Sequence, residues 1–202
     1  MSDKSVWFDV ADLIIKVIGF GAAAGSLWFT AQQIKNSNEQ RRDANRQSVA
    51  AGQWRRKEFA NTAIRKFFED PYVWNAMLMM DWMERDLVLS KDHAVMLGQP
   101  KFTYYDSMLP EALNKPSSKY STEEIIIRDC FDAFFGGMQQ FIDLTDSRIM
   151  EYEDFKPYFG YWAQLLHGKV PHKSAAALAA INAYIKKYFD EKKIKRFLAE
   201  VE

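Results

Sequence analysis

The chain has 202 residues, room for one ordinary domain plus a short anchor but not for two full domains. An apolar fraction of 48% beside 27% charged residues excludes wholesale disorder, and a single cysteine, Cys130, excludes a disulfide framework or a cysteine metal site within one chain. The formal charge of zero hides an asymmetry: nine basic residues between Lys35 and Lys66 face only Glu39, Asp43 and Glu58.

The first element is the segment Leu13–Ala31, apolar throughout except for Lys16. As a helix of about 28 Å it matches a hydrocarbon core about 30 Å thick. Lys16 lies near one end, where a lysine can snorkel, and Trp7, Phe8, Trp28 and Phe29 fall at the two expected interfaces. A signal peptide and a buried or interfacial helix are the competing readings; Asp3, Asp9 and Asp12 in the leader oppose the first. The flanking charges set the orientation. Lys35, Arg41, Arg42 and Arg46 follow the span, so the positive-inside rule places the C-terminal domain in the cytoplasm and the N-terminus outside the bacterial inner membrane.

Along that helix Asp12, Lys16, Gly19, Ala23, Ser26, Thr30, Gln33, Ser37 and Gln40 recur at steps of four and three, which puts them on one seam. Leu13, Val17, Phe20, Ala24, Leu27 and Ala31 form a more apolar neighbouring face suited to lipid. Gly21 and Gly25, four apart on a third face, suit close helix packing. The pattern predicts a homo-oligomer in which the seam from Asp12 to Gln33 is either an interface or the lining of a passage.

Residues 34–70 contain no proline and one glycine, Gly52, so the helix is expected to run on as a basic juxtamembrane segment. Arg41, Arg42, Arg46, Arg55, Arg56 and Lys57 are its candidate contacts to anionic lipid headgroups. Nucleic acid is the rival partner, because Trp54, Phe59 and Phe67 interleave with the charges.

Residues 71–202 are expected to form an all-α helical bundle. Asp70-Pro71 is a helix start, with Asp70 as N-cap. Val73, Met77, Met80, Met83 and Leu87 then recur at helical spacing and predict a core stripe. Residues 91–120, with three prolines and no sustained period, predict a long loop that holds short helices. Ser121-Thr122-Glu123-Glu124 is a capping box opening an Ile- and Phe-rich helix, with Gly136-Gly137 as a point of close contact or a kink. An aromatic helix follows Asp154 and stops at Gly168 and Pro171. Ser174 caps the next helix, and the last one places Ile194, Phe197, Leu198 and Val201 on one side. No strand is predicted.

Catalytic motifs are absent from the pattern. His93, His167 and His172 include no pair at i, i+4, and there is no phosphate loop or nucleophile elbow. His167 reads as a helix-capping residue. Asp129 and Asp132, like Asp143 and Asp146, read as solvated or salt-bridged pairs. The expectation is a non-enzymatic chain with no cofactor, no metal and no small-molecule substrate.

Arg128-Asp129 on a helix of an all-α domain resembles the start of the R-x(4–6)-H motif of the HEPN family, many of whose members are RNases. That motif needs a histidine at 133 to 135, where this chain has Ala133, Phe134 and Phe135, and Arg85 with His93 misses the spacing by one residue. The resemblance therefore implies a remnant without the imidazole that moves protons, and an RNase of altered active site only as an alternative. A wider resemblance covers most of the chain. The short span, the RRDAN and KEFAN segments, FFEDP, and the 125–144 helix leading to YFGYW are similar to bacterial single-pass membrane proteins with helical cytosolic domains. They are also similar to the degenerate HEPN-like, pore-forming membrane accessory protein of type VI-B CRISPR systems. That resemblance implies an oligomeric pore that depolarises the membrane in antiphage defence, acting beside a nucleoprotein effector complex. An anchored module that tethers such a partner through the basic helix is the alternative.

Overall fold

The structure, a computed structural model, describes the backbone of residues 3–115, 119–171 and 173–202, and within these the side chains from residue 28 onward, Ala31 excepted. The seam residues Asp12, Lys16, Gly19, Ala23 and Ser26 and the packing glycines Gly21 and Gly25 therefore have their side chains outside the described residues. Their backbone belongs to α1, which runs from Asp3 to Glu69. Among the described residues no helix is long and apolar enough to cross a membrane.

The chain divides into two compact units, Met1–Trp54 and Arg55–Glu202. In the first, every described side chain from Trp28 to Trp54 is exposed. Trp28 and Trp54 are 68% and 65% exposed.

The second unit is mostly helical, and its elements start where the capping chemistry puts them. Asp70 accepts from the Tyr72 and Val73 amides at 2.8 and 3.3 Å and opens α2 (Pro71–Asp81), whose proline occupies the first turn, where its missing donor costs nothing. Ser121 and Glu124 form the reciprocal capping box of α5 (Thr122–Asp146). Ile126, Ile127, Phe131, Phe134 and Phe135 are fully buried along α5, which makes it the centre of the core. Around it stand α4 (Met108–Asn114), α6 (Tyr152–Leu166), α7 (Ala175–Tyr188) and α8 (Glu191–Val201). Ile194, Phe197, Leu198 and Val201 on α8 are all buried. The last turns of α1 join this core through Ala60, Ile64 and Phe67, the last packing edge-on against Phe141 with ring centres 5.1 Å apart.

Two expectations fail between residues 82 and 114. The methionine stripe does not continue as one helix: α2 ends at Asp81, and Trp82 is already extended, with φ −114° and ψ 144°. Met83 is exposed, whereas Leu87 is buried from a strand, β1 (Glu84–Val88). Its antiparallel partner is β2 (Lys101–Tyr105), with Leu87 opposite Phe102 and Arg85 opposite Tyr104. Phe102 and Tyr104 alternate inward, a period of two that is the ordinary signature of a half-buried strand. Within 91–120 the expected short helices are present, and the strand β2 lies between them. Ser90 caps α3 (Lys91–Leu97), which Gly98 ends in the left-handed region at φ 76°, and Pro110 falls in the first turn of α4. Of these three short elements β2 is the one set by a partner distant in sequence, the strand β1.

Candidate functional site

The motif fragment on α5 is the natural place to look for chemistry, and its two residues point into different surroundings. Arg128 Nη1 donates to the Ala112 carbonyl at 3.1 Å and to the Leu113 carbonyl at 3.5 Å, in the last turn of α4. Three tyrosine rings surround the guanidinium: Tyr120 at 4.5 Å, Tyr184 at 4.9 Å and Tyr188 at 5.1 Å between its central carbon and the ring centres. Cation–π attraction and the carbonyl charge of a helix C-terminus both favour a cation there.

Asp129 faces His93, an imidazole that lies outside the spacing of the family motif. Its Oδ2 lies 3.0 Å from His93 Nε2. The His93 side chain is 2% exposed and packs edge-on against Tyr72, with ring centres 4.6 Å apart. Its Nδ1 is buried without a hydrogen-bond partner among the described residues. A general base has to reach its proton within hydrogen-bond distance, and an imidazole sealed beneath Tyr72 offers a substrate no approach. Cys130, next along α5, is fully buried. Burial pushes its thiol far up, with the charges of Asp129 and Asp70 adding to the effect, so it is no nucleophile.

The remaining acidic pairs are engaged. Asp132 accepts from Tyr184 Oη at 2.6 Å, Asp143 from Lys193 at 3.0 Å, and Asp146 from Arg196 at 2.5 Å. His167 is the C-cap residue of α6 and its Nδ1 lies 2.8 Å from Glu202. Among the described residues no group of three or more His, Cys, Asp or Glu is placed to hold a metal ion.

The polybasic set divides. Arg41, Arg42, Arg46, Arg55 and Lys57 are exposed, with Arg46 only loosely paired to Asp43 at 3.9 Å. Arg56 departs from the expectation of a lipid or nucleic-acid contact: it is half-buried and its guanidinium pairs with Glu151 at the start of α6. The helix face carrying Ala60, Ile64 and Phe67 enters the core, and Arg56, one turn before Ala60, falls on that face. Thr30, Gln33, Ser37 and Gln40 of the seam are exposed.

One constellation has no counterpart in the sequence reading. Lys173, with a side chain 0% exposed, lies 2.5 Å from Asp106 and donates to the Trp82 carbonyl at 2.6 Å and to Tyr104 Oη at 3.1 Å. The Ser174 amide completes the set by donating to Asp106 at 3.2 Å. Burial works against an ionised Asp106, but the hydrogen bonds from Lys173 and Ser174 outweigh it and hold the carboxyl below its ordinary range. The network ties the end of β2, the residue after α2 and the approach to α7 together. Lys173 lies in a loop and no periodicity marks it, so no local signal could have revealed its burial.

Comparison with protein-family models, with curated proteins and with solved structures returns no match.

Proposed function

We propose that the chain is a self-associating protein of the bacterial inner membrane, in which α1 is the anchor and the assembly helix. The observation that carries this reading is the seam. From Thr30 it continues through Gln33, Ser37, Gln40, Ala44, Gln47 and Ala51 to Trp54, exposed and without a charge, on a helix whose other faces carry Arg41, Arg42 and Arg46. Steps of three and four keep the seam on one helix face, and its small side chains would let another helix approach closely. Beyond Trp54 the same seam holds Glu58, Asn61 and Arg65, still exposed, while Ala60, Ile64 and Phe67 enter the core on another face. On this reading α1 turns one face to its own bundle and another to other copies.

Assembly through such a seam would bring the segments 13–31 together, with Gly21 and Gly25 at helix contacts and Lys16, Ser26, Thr30 and Gln33 toward the axis. A ring of roughly five or more helices, each about 10 Å across, leaves room for a passage. Depolarisation during phage infection is the role that the family resemblance adds to this reading. The exposed cations Arg41, Arg42, Arg46, Arg55 and Lys57 supply contacts to anionic headgroups. Catalysis forms no part of it: Arg128 is committed to α4 carbonyls, and His93 is enclosed.

The test is the mass of the full chain in detergent, corrected for bound detergent. A discrete ring of about five chains or more is expected, falling to smaller species in the Gly21→Leu/Gly25→Leu variant. A monomer or dimer would overturn the pore. Copurification of a nucleoprotein that is lost on neutralising Arg41, Arg42 and Arg55 would then favour the tethering module, for which the same exposed cations speak.

A further inference from the structure

The β1–β2 hairpin is a sheet of two strands, so each strand has one edge without a strand beside it. The ladder fixes which backbone groups point to those edges. Asp106 donates to the Met83 carbonyl at 2.7 Å and Leu89 to the Pro100 carbonyl at 3.0 Å, at the two ends of the register. Bonded and unbonded pairs alternate in an antiparallel ladder. Phe102 and Tyr104 therefore bond to β1, while Lys101, Thr103 and Tyr105 turn their amides and carbonyls the other way. On β1 the outward residues are Glu84, Asp86 and Val88. Asn75 agrees with this assignment, since its side chain donates to the outward Val88 carbonyl at 2.9 Å. Among the described residues no such bond reaches Lys101, Thr103 or Tyr105, whose side chains are all exposed.

The two edges differ in what they can pair with. Short edges that carry charge are a common way of keeping a strand from pairing. β1 fits that description. Paired antiparallel with a copy of itself about its centre, it would set Asp86 against Asp86, and Asn75 already holds one of its carbonyls. β2 does not fit it. Turned about Thr103, it sets Thr103 opposite Thr103 and Lys101 opposite Tyr105, with no like charges directly across. Each of these pairs can exchange both of its backbone bonds. The lysine then meets a tyrosine ring, and beyond that ring, on the next strand, stands Glu84, the hairpin partner of Tyr105. Neither Lys101 nor Glu84 has an ion-pair partner among the described residues of its own chain.

We propose that β2 is a docking edge for a second copy of this chain. The strands Lys101–Tyr105 of two copies pair antiparallel about Thr103 and join two hairpins into one four-stranded sheet. The edge belongs to the unit from Arg55 to Glu202 and is separate from the α1 seam, so this contact does not require the other.

The test uses single cysteines in the full chain in uncharged detergent. Opposed residues of a bonded pair have Cα atoms about 5.5 Å apart, within the span of a disulfide. Thr103→Cys should therefore cross-link to its own copy under copper phenanthroline and run as a dimer on a non-reducing gel. Lys101→Cys and Asp86→Cys should remain monomeric, because their copies lie about 13 Å or more apart across the same sheet. Cys130 is buried and does not compete. The Gly21→Leu/Gly25→Leu background separates the two contacts: the Thr103→Cys dimer should persist there even where the mass of the assembly falls. Hydrogen exchange on the unsubstituted chain is a second measurement. The Lys101, Thr103 and Tyr105 amides should exchange at least about tenfold more slowly than those of Glu84 and Asp86. No dimer at 103, equal cross-linking at all three positions, a dimer lost in the glycine background, or two edges that exchange alike overturns the proposal.

Discussion

Residues 30 to 54 and the unit from Arg55 onward treat charge in opposite ways. On the first, Arg41 and Arg42 stand exposed on α1. In the second, Lys173 is sealed against Asp106, Arg56 is drawn to Glu151, and Arg128 is wrapped in three tyrosines. The basic residues of one chain thus serve either as surface available to a partner or as pins of the fold. Which of the two a given cation becomes depends on the helix face it occupies and on what the rest of the chain packs over it.

The sharpest way to break that comparison is at the Lys173–Asp106 pair. Asp106→Asn leaves a buried ammonium uncompensated and should cost about 3–5 kcal/mol of unfolding free energy, measured by denaturant titration of the full chain in detergent. Replacing both partners, as Asp106→Leu/Lys173→Met, should cost far less; an equal loss in single and double variants would show that the pair is not what stabilises the loop before α7. The sign of the acid effect follows from the depressed folded pKa of Asp106. Its stabilisation is complete above the unfolded value of about 4 and disappears as pH falls through the lower folded value. Asp106→Asn should remove that component of acid unfolding and leave the remainder.

A smaller effect separates two adjacent glycines of α5. A Cβ on Gly137 would stand 2.6 Å from Phe67 Cδ2 and closer still to Cε2, whereas a Cβ on Gly136 meets nothing within 4 Å. Gly137→Ala should therefore destabilise by about 1–3 kcal/mol through overpacking. Gly136→Ala should stabilise by roughly 0.5–1 kcal/mol through helix propensity. Equal effects at the two positions would mean that α1 and α5 do not approach at Gly137.

The smallest expected difference lies among the arginines themselves. Arg56→Gln should lower stability by about 0.5–1 kcal/mol, discounted because Glu151 is half-exposed. Arg41→Gln and Arg42→Gln should stay within about 0.5 kcal/mol of the parent chain. A loss at Arg42 as large as at Arg56 would place a partner on the basic face even in detergent.

Local chemistry made much of the fold legible. The caps at Asp70, Ser121 and Ser174 mark helix starts because a side-chain oxygen and an unpaired amide are neighbours in sequence as in space. The stripe of α8 marks a buried face because 3.6-residue periodicity belongs to the helix alone. The sequence also supports the seam and the basic run of α1, which follow from spacing.

Tertiary structure decided the rest, and in each case the deciding partner is distant in the chain. Lys-Phe-Thr-Tyr-Tyr at 101–105 becomes a strand because Glu84–Val88 pairs with it, and Leu87 leaves its helical stripe for the same reason. Gly136 and Gly137 are indistinguishable in the sequence until Phe67 arrives against one of them. His93 and Asp129, Lys173 and Asp106, and Arg128 and Tyr188 come together only when segments separated by tens of residues pack against one another. Periodicity and capping act over four residues or fewer, whereas burial of a charge depends on everything that surrounds it.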